Sequence, residues 1–119
     1  MKIADHWYER KIISDDITLL WEPHTVPLMR CNIWHIRGLD RDLMIDTGMG
    51  VVSLVEAAKD LLQKPITSVA THSHTDHIGA HHEFSQCLVH KHEAANMNLA
   101  RNMCRCCKQP VMNAISMIL

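Results

Sequence analysis

Four potential metal ligands lie close together in residues 71–79, which read T-H-S-H-T-D-H-I-G. They are His72, His74, Asp76 and His77. Imidazole nitrogens and carboxylate oxygens are ligands that zinc and similar divalent metals accept in proteins. Side chains two positions apart in an extended segment point to the same side, so His72 and His74 can bind one ion together. Asp76 and His77 follow where the chain must turn, and can face a second ion beside the first.

The alternative interpretation is a polar loop with a chance excess of histidine, because the chain contains 10 histidines. The fixed spacing His-x-His-x-Asp-His argues against chance, since four ligand positions match at once. The motif also directly follows the apolar run of residues 66–70. Ligand sites in α/β proteins commonly lie where a buried strand ends. We therefore interpret the segment as a metal site.

A strand, a helix and a second strand precede the motif in that order. Residues 43–45 are predicted to form the first strand and residues 66–71 the second. Between them, residues 53–63 carry apolar side chains at helical spacing, with Ser53 and Glu56 placed as a capping box at the start. This order predicts a right-handed crossover between two parallel strands.

Asp46 directly follows the first of these strands, and the motif directly follows the second. The carboxyl ends of parallel strands lie at the same edge of a sheet, where ligands of open α/β sheets bind. We therefore expect Asp46 beside the motif residues, without any assumption about a metal.

Further elements are predicted on both sides of this core. Residues 31–37 are extended and are joined to the strand at residues 43–45 by a short turn, which predicts an antiparallel hairpin. Residues 22–30 contain Pro23 and Pro27 and are predicted to form a loop, either a simple exposed connection or one that contacts substrate. The other predicted elements are a strand at residues 17–21, a helical turn at 80–84, a strand at 87–89 and a helix at 92–102.

The sequence H-S-H-T-D-H at residues 72–77, together with D-T-G at residues 46–48, resembles the metallo-β-lactamase superfamily. The resemblance extends over about residues 12–100. It implies an α/β (α+β) fold, an αββα sandwich with a metal site at the edge of its sheets. It also implies a hydrolase that uses one or two zinc ions, with iron or manganese as alternatives. Substrates in the family include thioesters, lactones, β-lactams and phosphodiesters.

The resemblance assigns a role to each matching residue. His72 and His74 would bind the first metal, and Asp76 and His77 the second. Asp76 would also hold the attacking water as a catalytic proton acceptor. Asp46 would support the ligands from behind, because a carboxylate that accepts a histidine N–H fixes its orientation. The implied reaction is attack by a metal-bound hydroxide on a thioester or related ester.

The sequence departs from the family pattern after the motif. The family completes its site with two later histidines and a bridging carboxylate, whereas this chain has no aspartate after Asp76. We therefore interpret residues 1–102 as the N-terminal half of such a domain, an incomplete sandwich. Residues 103–119 are interpreted as a tail from a truncated or altered reading frame. The alternative function is a catalytically inactive metal-binding fragment.

Other side chains have simple structural interpretations. His81 and His82 follow the motif but point apart on a helix, which favours exposed surface over metal binding. His35 is predicted to be a packed strand histidine. A place in the core is predicted for Trp7, Trp21 and Trp34.

Composition restricts the class of protein further. A length of 119 residues suits one domain. A formal net charge of −1 argues against a nucleic-acid or membrane partner and favours a small-molecule substrate, while a homo-oligomer stays open. No signal peptide or bilayer-spanning run is evident, so we expect a cytoplasmic protein. Three of the five cysteines lack the spacing of a structural zinc site and are interpreted as a thiol cluster in the tail, Cys104, Cys106 and Cys107.

Overall fold

The computed structural model describes residues 6–93. Within this range the strands form one six-stranded sheet whose spatial order follows the sequence. The strands are β1 (Glu9–Ile12), β2 (Ile17–Trp21), β3 (Ile33–Ile36), β4 (Asp42–Ile45), β5 (Ile66–Ala70) and β6 (Cys87–Val89). They are connected by the short helices α1 (Leu54–Ala57) and α2 (Thr75–Ile78) and by 3-10 turns at Pro27–Met29 and His81–Glu83.

The sheet is mixed, and the change of direction lies at β4. Strands β1 to β4 are antiparallel neighbours, so the predicted hairpin of β3 and β4 is confirmed. Strands β4, β5 and β6 are parallel, which confirms the predicted crossover. The carboxyl ends of β4 and β5 therefore lie side by side. The predicted strands at residues 17–21 and 87–89 have the observed bounds.

The helix predicted over residues 53–63 is much shorter than expected, since α1 ends at Ala57. Ser53 caps it as predicted, with its hydroxyl 3.2 Å from the backbone nitrogen of Glu56. The carboxylate of Glu83, distant in sequence, accepts from the backbone N–H groups of Leu54 at 3.1 Å and Val55 at 3.3 Å. A tertiary contact therefore satisfies backbone N–H groups at the amino end of the helix. A capping box satisfies such groups by local contacts alone.

Beyond α1 the chain continues in turns that still bury its apolar side chains. The backbone N–H of Leu61 donates to Ala58 at 2.8 Å, and that of Leu62 donates to Lys59 at 3.2 Å. Ala58 is fully buried, and both leucines pack against the core. The prediction that these apolar side chains face the core is thus confirmed. Their backbone, however, forms i to i+3 turns rather than an α-helix.

The core lies on one face of the sheet, beneath α1 and the 3-10 turn that follows α2. Its central strand residues are Leu20, Ile33 and Met44, each fully buried. They pack with Leu54 and Phe84 from the covering segments. The prediction that the tryptophans lie in the core is wrong, because the structure leaves all three of them half-buried: Trp7, Trp21 and Trp34. The strand tryptophans alternate with the buried residues and so point to the opposite face.

Two histidine predictions have opposite outcomes. His35 is buried, with its Nε2 atom 3.0 Å from Oδ2 of Asp42, which confirms a packed strand histidine. His81 was predicted to be exposed, but it is fully buried and contacts the hydroxyl of Ser68. The 3-10 turn directs His81 inward and leaves His82 exposed. Burial is the main cause that lowers the pKa of His81 from 6.5 to about 4.

The remaining predictions fall outside the described part of the chain. The tail at residues 103–119, its cysteines and almost all of the helix predicted over 92–102 lie beyond residue 93. Among residues 6–93, every helix is too short or too polar to cross a membrane.

Candidate metal centre

The ends of two parallel strands bring Asp46 to the motif. Asp46 follows β4 with a positive φ of 61°, and its backbone N–H donates to the carbonyl of Val69 in β5 at 2.8 Å. Thr71 follows β5 and donates its backbone N–H to Oδ1 of Asp46 at 2.8 Å. The expected juxtaposition of Asp46 and the motif is therefore present. A left-handed backbone at a non-glycine residue is strained, and it aims this carboxylate along the sheet edge.

The Asp46 carboxylate forms several hydrogen bonds behind the motif. Its carboxylate is buried, and Oδ2 lies 2.8 Å from the hydroxyl of Thr71 and 2.8 Å from Nδ1 of His77. Both oxygens of an ionised carboxylate are acceptors, so Nδ1 of His77 carries the proton. The other ring nitrogen, Nε2, is thereby left as the basic atom that can bind a metal.

Thr71 extends the same control to His72. Its hydroxyl donates to Asp46 and lies 2.9 Å from Nδ1 of His72. Because the hydroxyl hydrogen is used on Asp46, the oxygen accepts from Nδ1–H of His72. Nε2 of His72 is then also free of a proton. Thr71 was not predicted as a site residue, although its position directly before the motif and after β5 is visible in the sequence.

The histidine rings of the motif converge. The ring centroid of His72 lies 4.6 Å from that of His74 and 4.0 Å from that of His77. Nε2 of His77 lies 3.3 Å from Oδ2 of Asp76. Two ligands of a tetrahedral zinc ion, each about 2.0–2.1 Å from the metal, are about 3.3 Å apart. The spacing of this nitrogen and this oxygen therefore fits adjacent ligands of one ion.

Cys31 is a neighbour of the site that the sequence interpretation missed. Its Sγ atom lies 3.4 Å from Nδ1 of His77, and the two groups form a compact set of donor atoms with Asp46, all within 4.8 Å of one another. Burial, and then the charge of Asp46, raises the pKa of the Cys31 thiol to about 12. These donor atoms lie close enough together to hold a metal ion, and the hydrogen bond between Nδ1 of His77 and Asp46 also orients the ring of His77. No spacing rule connects positions 31 and 77, so sequence patterns gave no signal.

The loop after Asp46 is bonded to the backbone of the motif. The N–H of Thr47 donates to the carbonyl of His77 at 2.8 Å, and the N–H of Gly79 donates to the carbonyl of Gly48 at 2.8 Å. Gly50 has a φ of +74°, and a Cβ atom there would lie 2.3 Å from the carbonyl oxygen of Gly79. The two backbones are therefore in direct contact, which only glycine permits.

An open cavity of about 660 Å³ adjoins the centre on the half-buried face of the sheet. Its apolar lining includes Trp34, Ile36 and Ile45, and its polar end includes Asp46 and His77. Arg30, from the proline-containing loop, also lines this cavity. This loop therefore approaches the candidate metal edge, as one of its two sequence interpretations requires.

A family comparison gives the context of this centre. Residues 26–93 match the model of the metallo-beta-lactamase superfamily. The chain belongs to the metallo-beta-lactamase superfamily. The match includes β3 to β6 and the entire motif, so the resemblance carried by residues 72–77 is confirmed at the level of the family.

The chain is similar to curated proteins that share one name. Human acyl-coenzyme A thioesterase MBLAC2 is 37% identical over 103 residues, covering 76% of this chain and 37% of that protein. The chicken protein of the same name is 38% identical over 101 residues, covering 77% of this chain and 36% of its own length. The chain thus spans less than two fifths of the curated relatives that it matches.

Solved structures support the fold. A metallo beta lactamase from Hirschia baltica has a TM-score of 0.62 at 25% identity, covering 82% of this chain and 49% of that one. The metallo-beta-lactamase FIM-1 from Pseudomonas aeruginosa, in a mono-zinc form, has a TM-score of 0.61 at 18% identity, with 84% and 49% covered. The mixed sheet and its short helices are therefore compatible with an incomplete α/β sandwich of the metallo-β-lactamase type.

Proposed function

We propose that this chain contributes the metal-binding motif of a hydrolase that cleaves a thioester or a related ester. In this proposal His72 and His74 bind one zinc ion, and Asp76 and His77 bind a second. The observation that carries it is the fixed state of His77. Its Nδ1 atom lies 2.8 Å from Asp46, and its Nε2 atom lies 3.3 Å from Oδ2 of Asp76.

Zinc bound at such a site supplies Lewis-acid chemistry, because it polarises a carbonyl oxygen and lowers the pKa of water. The protein residues prepare the ligands for it. Asp46 keeps the proton of His77 on Nδ1, and Thr71 keeps that of His72 on Nδ1. Asp76 has a second carboxylate oxygen besides the one facing His77, and this oxygen is the proposed proton acceptor.

The choice of a thioester rests on the relatives and on charge. The curated relatives are named acyl-coenzyme A thioesterases, and the shared segment includes the motif. The formal net charge of −1 gives no sign of the strongly basic surface that binds nucleic acid. A small carboxylic thioester is therefore the substrate class that we propose.

A second candidate function is a metal-binding module without turnover. It is favoured by one observation, that the converging ligands in residues 6–93 all come from the single segment 72–77. A site with ligands from one segment binds metal but lacks groups on the opposite side to position a substrate.

Metal analysis and a hydrolysis assay separate the two functions. We would purify the chain and the variants His77→Ala and His82→Ala, load them with zinc and measure bound zinc after gel filtration. His82 is an exposed histidine near the motif and serves as the matched control. We expect bound zinc in the parent and in His82→Ala, and its loss in His77→Ala. Thioester hydrolysis that is lost with the zinc supports the enzyme.

The contrary outcomes are distinct. Stoichiometric zinc without hydrolysis of a thioester, lactone, β-lactam or phosphodiester panel would leave the binding module as the function. Equal zinc in His77→Ala and the parent would sink the metal site itself.

A further inference from the structure

A buried carboxylate lies behind the metal-site loop. Glu22 directly follows β2, and its side chain is 0% exposed. Glutamate is rarely fully buried unless its charge has partners, because removal from water is costly. Glu22 also lies outside residues 26–93, which match the family model. Its burial therefore needs an explanation from the structure of this chain.

Both carboxylate oxygens of Glu22 accept hydrogen bonds from N–H donors. Oε1 accepts from the indole Nε1–H of Trp7 at 2.9 Å. Oε2 accepts from the backbone N–H of Met49 at 2.9 Å. A Cβ atom on Gly48 would lie 2.6 Å from Oε2, so the carboxylate packs directly against the loop backbone. Glu22 thus ties the loop that follows Asp46 to the end of β2.

The tied loop is the one that holds His77. One residue before Met49, the carbonyl of Gly48 accepts from the N–H of Gly79 at 2.8 Å. One residue earlier, the N–H of Thr47 donates to the carbonyl of His77 at 2.8 Å. The hydrogen bond from Met49 to Glu22 therefore holds one end of the loop at residues 46–49. This loop positions His77 through its backbone and through Asp46.

We infer that Glu22 is a positioning residue for the metal site, acting through Met49 on the Asp46 loop. The effect of this role on metal binding rests on the proposed function. The chemical requirement is specific, because both partners of the side chain are donors. A carboxylate accepts from both, whereas an amide of nearly the same shape offers one oxygen and one NH₂ group. Glutamine at position 22 therefore leaves one N–H donor facing another donor.

This requirement defines a test by compensation. Glu22→Gln should weaken zinc binding, by about tenfold if it acts like other residues that orient ligands from behind. Adding Trp7→Phe removes one of the two competing donors, so the glutamine oxygen can turn to the N–H of Met49. Position 7 is half-buried, and phenylalanine is smaller than tryptophan, so the double variant also leaves space beside the NH₂ group of the glutamine. The double variant Trp7→Phe/Glu22→Gln should bind zinc more tightly than Glu22→Gln alone.

The control is Glu56→Gln, which makes the same chemical change on a side chain that is 76% exposed. It should bind zinc as the parent does. Zinc affinity of each full-length variant would be measured by competition with a chromophoric chelator. Equal affinities for Glu22→Gln and Glu56→Gln would overturn the inference while the proposed function stands.

Amide hydrogen exchange in the metal-free protein provides the second measurement. Glu22→Gln should speed exchange at Met49 and Gly79 by about tenfold or more, and the double variant should slow it again. If the parent binds no zinc, the proposed function fails, and exchange alone decides the role of Glu22. Unchanged exchange in Glu22→Gln would contradict that role.

Should Glu22→Gln fail to fold, the double variant decides. A folded double variant with a protected Met49 amide supports the matching of donors and acceptors. A double variant that is also unfolded, or whose Met49 amide is unprotected, overturns it.

Discussion

Replacing Asp46 by asparagine isolates the control of the histidine tautomers. Asparagine keeps the shape of the side chain and tolerates the positive φ of 61° at this position. It offers one oxygen and one NH₂ group where the carboxylate serves Thr71 and His77 with two oxygens. If the NH₂ group faces Nδ1 of His77, the imidazole must move its proton to Nε2. That tautomer cannot bind a metal through Nε2.

The expected loss of zinc affinity follows from the role of Asp46 as a hydrogen-bond partner that orients a metal ligand. Two donors on Thr71 and one on His77 lie within 3.0 Å of the Asp46 carboxylate oxygens. Loss of a partner that orients a metal ligand costs about 10–100-fold in affinity, which is about 1.4–2.8 kcal/mol. We expect zinc affinity to fall by about this factor in Asp46→Asn. The control is Asp40→Asn, in an exposed turn of the same sheet.

Competition titration with a chromophoric chelator measures the affinities, and nitrogen NMR of the imidazoles reports the tautomers. Asp46→Asn should show His77 protonated on Nε2 in the metal-free protein, whereas the parent shows Nδ1–H. Unchanged zinc affinity together with a changed tautomer would refute the reasoning, because the tautomer would then have no effect on binding. An unchanged tautomer would show that Asp46 does not control it.

Three further predictions concern the scaffold. Gly50→Ala should destabilise the fold by about 2 kcal/mol or more in denaturant unfolding, because its Cβ would lie 2.3 Å from Gly79 at a φ of +74°. The contribution of His81 to stability should fall as pH drops from 6.5 toward about 4, by on the order of 3 kcal/mol. The reason is that the unfolded His81 binds a proton in this window and the buried one does not. Cys31 should react with iodoacetamide far more slowly in the native than in the unfolded protein, because its pKa is raised to about 12 and it is 2% exposed.

Each of these has a control and a contrary outcome. Val51→Ala, an exposed position beside Gly50, should change stability little, and an equal loss would point to the loop in general. His81→Gln should flatten the pH dependence between 6.5 and 4, and an unaltered slope would assign it to other groups. Rapid alkylation of native Cys31 would contradict its burial beside His77.

The candidate site was predictable to the extent that it depends on local order along the chain. The motif at residues 72–77 follows β5, and Asp46 follows β4. A parallel crossover places both at one edge, so their proximity required only the order of the elements. The helix over residues 53–63 was predicted too long, because apolar spacing reports which side chains are buried and not which backbone hydrogen bonds form.

Contacts between distant positions were beyond local patterns. Glu83 supplies acceptors for the start of α1, and its sequence position gave no reason to expect this. Helical spacing predicts an exposed His81, whereas a 3-10 turn directs it into the core beside Ser68. The error at His81 arises because packing selects among backbone conformations that differ little in local free energy.

The sequence by itself determined the candidate ligands, their strand and the carboxylate behind them, since spacing and element order are local properties. Only the tertiary structure decided which ring nitrogen of His77 faces Asp46, because that depends on a 2.8 Å contact across 31 positions. It also placed Cys31 beside His77 and Glu22 against the loop that follows Asp46. These contacts are set by how strands stack and loops pack, and no periodicity in a single chain records them.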